Sequence, residues 1–245
     1  MKLLKKLIEI RNNELFFPGF LGLFFNPFYF IRRGLYVAIR SYAHYMSGRL
    51  LDFGCGSKPF KKLFDVEEYI GLDIEKNDQR DINNDIDFYY DGNTIPFKDN
   101  YFDCIFSSEV FEHVFNLENI LQELNRVCKS GGYILITVPF IWDEHEVPYD
   151  FGRYTSYGIC HLLQNNSFEV IEQKKTTNYV QTVFQMWNTY IYKHIFKHKL
   201  AKLLLTPIVI APVTIFALII SKILPQNFDF YHNNVVIAKK TLDNK

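Results

Sequence analysis

From residue 49 onward the chain repeats one pattern, a short apolar stretch rich in β-branched and aromatic residues followed by a polar or helical connector. RLLDFGCG, EYIGLDIE, IDFYYDG, FDCIFSSEV, GYILITVPF, FEVIEQKK and NNVVIAKK are the strand-length stretches. Between the fourth and fifth, Leu117, Ile120, Leu121, Leu124 and Val127 recur at helical spacing, and Ser130-Gly131-Gly132 predicts the stop. A second helix is predicted over 155–165. Strands separated by helices must cross over rather than form hairpins. The expected fold is therefore α/β: a doubly wound, Rossmann-like, mostly parallel seven-stranded sheet with helices on both faces. A chain of 245 residues holds one such domain with embellishments and is short for two.

Two segments stand outside this pattern, and they hold many of the aromatic residues that make up 17% of the chain. Residues 1–47 form a hydrophobic N-terminal extension, LFFPGFLGLFFNPFYFIRRGLYVAIRSYAHYM over 15–46, broken by Pro18, Gly19, Gly22 and Pro27. Arg33 to Tyr45 is read as an amphipathic helix, and the extension as a lid or a membrane-interface anchor with arginines toward phosphate headgroups. A helix that merely caps the core is the plainer alternative. Residues 178–225 form a hydrophobic helical insertion between the sixth and seventh strands. Within it, Leu203 to Ser221 carries no charge and is flanked by Lys202 and Lys222, the length of a membrane-crossing helix. Because NNVVIAKK within 226–245 supplies the last strand of the core, the chain must come back, which predicts a helical hairpin bent at Pro207 and Pro212. A buried soluble helix pair and a homodimer surface are the alternatives. The core itself is placed at 48–177.

Net charge is zero and the basic residues are scattered, which argues against nucleic acid as a partner. Cys55, Cys104, Cys128 and Cys160 are widely spaced, with no CxxC pair and no secretory pattern. That fits a reducing, cytoplasmic compartment, including the inner face of the cytoplasmic membrane, and suggests neither disulfides nor a zinc site. No spacing such as HExxH is present, so no metal is expected.

The stretch LDFGCGSKPF places glycines where a strand must turn sharply and approach a ligand, with Pro59 set for the first turn of a following helix. Asp73 ends the second strand about 20 residues after Gly54, the spacing at which an acid takes ribose hydroxyls. A dinucleotide fingerprint needs a third glycine, and Lys58-Pro59 occupy that part of the turn. Pyrophosphate, and with it a NAD-dependent oxidoreductase, is disfavoured. Asp52 would repel phosphate but suits a cationic ligand such as an α-amino group or a sulfonium.

Taken in order, DFGCG (52–56), GLDIE (71–75), DGNTIPFKDNYFDCIFSSEVFEHV (91–114) and LENILQELNRVCKSGGYILITVP (117–139) resemble the class I S-adenosylmethionine-dependent methyltransferases. The resemblance runs through about residue 177, and VVIAKK fits the antiparallel seventh strand of such enzymes. It implies S-adenosylmethionine as cofactor, with Gly54, Cys55 and Gly56 bordering the methionine part and Asp73 on the ribose hydroxyls. Asp91, Gly92 and Asn93 would meet the adenine edge, and Ser108 and Glu109 would end beneath the sulfonium, with His113 one helical turn beyond. The plainer alternatives are a turn role for Asp91 and a structural loop role for His113.

Methyl transfer to a hydroxyl needs a positioned acceptor and a proton acceptor. The polar loop after the fifth strand, WDEHEVPYDFGRYT over 142–155, offers both. His145 is the first choice for general base. Asp150 would orient it or hold substrate hydroxyls, Arg153 would pair with a substrate phosphate or carboxylate, and Tyr154 would stack on a sugar or ring. Alternatively, Arg153 and Asp150 are an ion pair that fixes the loop, with Thr155 capping the next helix. The expected function is methylation of a small-molecule, glycan or lipid-linked substrate at a membrane surface. The NPF-x(3)-RRG start and the H-x(2)-P-x-D-x(2)-R-x-T loop resemble bacterial proteins of surface-glycan biosynthesis, which points to sugar O-methylation. A quinone or other lipid acceptor is the enzymatic alternative, and a non-catalytic cofactor-binding scaffold is the alternative from another class.

Overall fold

The computed structural model describes residues 13–75 and 85–241. The chain divides into two compact units, Ile39–Lys174 with Asn234–Lys245, and Met1–Ala38 with Lys175–Asn233.

The larger unit is built on a seven-stranded sheet: β1 (Arg49–Phe53), β2 (Glu68–Ile74), β3 (Phe88–Tyr90), β4 (Phe102–Ser108), β5 (Cys128–Pro139), β6 (Phe168–Lys175) and β7 (Asn233–Lys240). The order is β3-β2-β1-β4-β5-β7-β6. β1 pairs in parallel with both β2 and β4, so the winding reverses between β1 and β4, where doubly wound sheets bind ligands. The end of β7 lies beside the starts of its neighbours: Lys240 Nζ donates to Cys128 O at 3.1 Å, and Thr241 N to Ser167 O at 2.9 Å. β7 therefore runs antiparallel, and the sheet is the mixed one expected.

Both predicted helices form. Leu117–Val127 buries all five residues of its apolar stripe, and Ser156–Asn165 begins with Thr155 Oγ1 accepting from Gly158 N at 3.0 Å. Strands and helices together enclose a core in which Leu51, Phe53, Ile105, Leu121, Ile134 and Ile136 are fully buried. Each such side chain contributes about 1.5–3 kcal/mol.

Two expectations are corrected. The Gly131-Gly132 pair does not stop the helix: it ends at Val127 and β5 begins at Cys128. The glycines sit instead where the β4–β5 register shifts between Phe102 and Cys104. There a Cβ on Gly132 would meet Asp103 O at 2.7 Å, so the strands approach closely only because it has none. Pro59 does not open an α-helix. The β1–β2 connection holds one 3₁₀ turn, Lys61–Leu63, anchored by the buried rings of Phe60 and Phe64 against Phe106.

The smaller unit is helical. Numbering helices along the whole chain, α1 is Gly22–Phe25, α2 Tyr29–Tyr42, α3 Leu117–Val127, α4 Ser156–Asn165, α5 Tyr179–Tyr190, α6 Lys199–Leu205 and α7 Ala211–Ile223. α2 starts at Tyr29 rather than Arg33. The inserted hairpin forms, but it turns at 196–198 and not at the prolines. Pro207 and Pro212 lie within a run from Lys199 to Ile223, at and just after a π-helical turn, Thr206–Ile210, joining α6 to α7. A wider turn tolerates the donors that proline lacks, so the run continues past both rings.

The polarity of this unit is unusual. Gln185 Nε2 donates to Pro27 O at 2.8 Å while its Oε1 accepts from Phe30 N at 3.1 Å, joining α5 to the start of α2 inside the unit. Asn188 Nδ2 donates to Thr214 Oγ1 at 3.0 Å across α5 and α7, and Ala217 is fully buried between larger neighbours. Trp187, Ile208, Phe216, Ile219 and Ile223 are each more than half exposed.

Candidate functional site

The turn after β1 sets the geometry. Gly54 has φ +73°, and a Cβ there would lie 2.3 Å from Val110 Cγ2, so no other residue fits between β1 and the end of β4. Gly56 N donates to Asp73 Oδ2 at 2.9 Å, and Ile74 N to Asp73 Oδ1 at 2.8 Å, which pins the carboxylate at the end of β2. Each oxygen keeps a further lone pair for a hydroxyl. Lys58 bends back to pair with Asp87 at 2.6 Å, and Asp87 in turn accepts from Gly71 N at 2.7 Å.

A cavity of about 390 Å³ opens at this point. Gly54, Gly56, Asp73, Gly92, Glu109 and His113 line it, together with Ile74, Tyr90 and Val110. Phe115, Tyr149 and Phe151 also line it and are exposed, at 83%, 65% and 46%, which makes an aromatic rim. The open space beside Gly56, the anchored Asp73 and the cavity's size fit a nucleoside bearing a short polar chain.

Other expected cofactor residues lie outside the cavity lining. Asp52 is buried and accepts from Tyr69 Oη at 2.5 Å, and burial pushes its carboxyl up to about 7. Cys55 is buried, and desolvation raises its thiol. Asp91 Oδ1 accepts from Asn93 N and Thr94 N, both at 2.8 Å, and these bonds hold its carboxyl below the usual range. Asp91 and Asn93 thus shape the loop that presents Gly92. Ser108 Oγ lies 2.9 Å from Thr137 Oγ1, which donates to Glu109 Oε1 at 2.7 Å. Glu109 has φ +57°, strained for a residue with a side chain and held by its N–H on Thr137 O at 3.0 Å.

In the loop after β5, Asp150 binds His145 twice. His145 N donates to Asp150 Oδ2 at 2.9 Å, and Nδ1 lies 3.2 Å from the same oxygen. Arg153 clamps Asp150 with two bonds of 2.5 and 2.7 Å and also donates to Asp143 O and Gly152 O. The clamp holds the Asp150 carboxyl well below the usual range. Arg153 is thereby committed to the loop rather than presented to a phosphate, as the ion-pair alternative has it. Tyr154 packs its ring on the core and accepts from Asn234 Nδ2 through its carbonyl at 2.8 Å, so stacking surfaces come from Tyr149, Phe151 and Phe115 instead.

Sequence reasoning missed Glu112. Its side chain is fully buried, and neither carboxylate oxygen has a hydrogen-bond partner among the described residues. Burial, with Glu109 nearby, pushes its carboxyl well above the usual range. His113 Nε2 is 3.7 Å from Glu112 Oε1, and the rings of His113 and His145 meet edge to face at 4.7 Å. The adjacent pair Glu112-His113 was visible in the sequence, but the third group comes from a distant loop.

Residues 51–136 match the family model described as a methyltransferase domain. An uncharacterised protein of Methanocaldococcus jannaschii is 35% identical over 100 residues, 39% of this chain and 46% of that protein, so the match spans about half the relative's length. Among solved structures, the [4+2]-cyclase SpnF superposes with a TM-score of 0.56 at 16% identity, covering 85% of this chain and 82% of that one. An S-adenosylmethionine-dependent methyltransferase from Mesorhizobium loti gives 0.53 at 12% identity, over 86% and 99% of the two chains. The Haemonchus contortus phosphoethanolamine N-methyltransferase 2, in complex with phosphomonomethylethanolamine and S-adenosylhomocysteine, gives 0.52 at 15%, over 96% and 57%. At such identities the structures establish the fold alone. The domain match covers residues 51–136, about a third of the chain, and the solved structures show the Rossmann-like fold around it.

Proposed function

We propose that this methyltransferase domain transfers its methyl group to a hydroxyl of an amphipathic acceptor, a sugar carried on a lipid, at a membrane surface. When bound, S-adenosylmethionine supplies a methyl carbon on positively charged sulfur, so the protein has mainly to position the acceptor and take up its proton. Asp73 would hold the ribose hydroxyls, and the loop at Gly92 would border the base. Glu109 places negative charge at the end of β4, toward a cationic sulfonium.

On the acceptor side, Asp150 keeps His145 Nδ1 engaged, which leaves Nε2 able to accept a hydroxyl proton. When an acceptor hydroxyl is methylated there, its proton would pass to His145 Nε2. The aromatic rim of Phe115, Tyr149 and Phe151 suits the apolar face of a sugar ring or a lipid chain.

The observation that carries the membrane part is the polarity of the hairpin. The run Lys199–Ile223 is long and apolar enough to cross a bilayer, and only 28% of its most apolar stretch is buried. A core helix of a soluble protein would be mostly buried. Lys193, His194, Lys197, His198, Lys199 and Lys202 cluster at the turn of the hairpin, where cations favour anionic headgroups.

The test is incubation of the full-length protein with tritiated cofactor and total membrane lipids, followed by separation of glycolipid from quinone and simple lipid fractions. Label in glycolipid is expected; label confined to the other fractions or in none rejects the acceptor. Calorimetric titration with S-adenosylhomocysteine, with Asp73→Ala as control, checks the cofactor site separately. Micromolar binding that weakens about 100-fold in the variant is the expected outcome.

A further inference from the structure

We propose that Glu112, His113 and His145 form a binding site for a divalent transition-metal ion at the edge of the cofactor cavity. One ligand atom from each of the three residues lies within 4.8 Å of the others, a spread that a single ion can draw together.

Three features support the site. First, the Glu112 side chain is fully buried, and both its oxygens lack hydrogen-bond partners among the described residues. A buried carboxylate of that kind needs a compensating cation or a proton; Arg153 acts on it without a direct bond, and the only imidazole within ion-pair distance among the described residues is His113, at 3.7 Å. Second, both histidines are oriented as metal ligands usually are. His113 Nδ1 lies 2.7 Å from Tyr149 O, and a carbonyl can only accept, so Nδ1 carries the proton and Nε2 holds the lone pair. His145 Nδ1 sits 3.2 Å from both Asp143 O and Asp150 Oδ2, with the same consequence. A carboxylate or carbonyl behind each imidazole is the arrangement that fixes tautomer and ring direction in metal centres. Third, the Arg153 clamp holds Asp150, so the second support is itself rigid.

Two imidazoles and one carboxylate suit zinc, manganese, iron or cobalt better than magnesium or calcium, and three protein ligands leave positions open. Of the three, His113 lines the cavity, so an ion held there would border the space where the acceptor would sit. There an ion can acidify an acceptor hydroxyl so that its proton leaves to solvent, with His145 as the ion's ligand, an alternative to the base role proposed above that excludes it. That last role rests on the acceptor proposed above; the binding of the ion does not, and the two fail separately.

The experiment uses the full-length protein, stripped with a chelator and titrated with zinc by calorimetry, with bound metal counted by elemental analysis. One equivalent per chain is expected. His145→Ala, on a partly exposed loop, and Glu112→Gln are each expected to weaken zinc at least about 100-fold, and Asp150→Asn, a positioning variant, about 10–100-fold. Cobalt loading gives a second readout, a visible absorption band that disappears in His145→Ala. Less than a tenth of an equivalent bound, or zinc affinity unchanged in His145→Ala, overturns the site, the latter because the ion would then sit on other histidines. Glycolipid labelling has no bearing on this result, so loss of the acceptor hypothesis leaves it standing.

Discussion

The two units of this chain solve the burial problem with opposite polarity. In the larger one, apolar residues such as Leu51, Ile105, Leu121 and Ile134 are fully enclosed, and the surface carries ion pairs such as Arg126 with Glu123 and Asp99. In the smaller one, Thr182, Gln185, Asn188, Thr214 and Ser221 are enclosed while Trp187, Phe216, Ile219 and Ile223 face outward. Hydrophobic burial is a gain only relative to water. Where the surroundings are hydrocarbon, helices associate instead through small residues and hydrogen bonds, and between α5 and α7 such contacts, Asn188 with Thr214 and Gln181 with Ser221, stand beside the ring pair Phe184–Phe216.

The sharpest way to break this comparison is to put charge on the outward face of α7. Phe216→Asp with Ile219→Asp is expected to release the full-length protein from anionic vesicles in a flotation assay, since an acid at the centre of an inserted helix costs about 2.5–3.5 kcal/mol. If the variant still floats with the vesicles, the face serves another purpose. The larger unit should respond to the opposite treatment. Leu121→Ala, which empties space under the sheet, is expected to cost about 2–5 kcal/mol in urea unfolding.

A third measurement uses Asp52, a polar residue enclosed in the larger unit. Its carboxyl is raised to about 7 in the folded protein, above the roughly 3.9 of an unfolded chain. The folded state therefore holds the proton more tightly. The associated stability is present in full below about pH 4 and is lost as pH rises through 7. Asp52→Asn removes the titration, so wild type should lose stability relative to the variant between pH 5 and pH 8, on the order of 3 kcal/mol. A constant difference across that range would show that Asp52 is ionised throughout. The smallest effect is expected for Asn188→Ala: the proposed membrane setting predicts about 0.6 kcal/mol, because bonds between helices in a membrane are individually weak. A loss of several kcal/mol in detergent would mean that the pair behaves as a buried network in a water-soluble fold.

The architecture was legible because seven strand-length stretches and one strong helical stripe fix the order of elements. Spacing then brought Gly54 and Asp73 to one sheet edge. What escaped notice was decided by local packing. The glycines at 131–132 read as a helix stop, yet the close approach to β4 at Asp103 O uses them within a strand. Proline read as a bend, yet a π-helical turn absorbs it and the reversal falls at 196–198. In the site, Arg153 and Asp150 were read as substrate contacts or as a loop clamp, and side-chain geometry favours the clamp for Arg153. Glu112, Tyr149 and Phe151 carried no spacing signal, because their proximity depends on how the loop after β5 folds back over the end of β4.

The hairpin's points of departure and return deserve a last consequence. Thr176 N donates to Asn233 O at 3.0 Å, and His232 N to Thr177 Oγ1 at the same distance, so the excursion over 178–231 leaves and rejoins at hydrogen-bonded neighbours. A loop whose ends already meet can change length cheaply: by the logarithmic cost of closure, a tenfold longer excursion adds only about 2 kcal/mol. The helical segment is in that sense a cassette at a strand junction, and a short turn from Thr177 to His232 would satisfy the same backbone bonds. Chains of this build can exchange the helical excursion while leaving the strand order of the sheet unchanged.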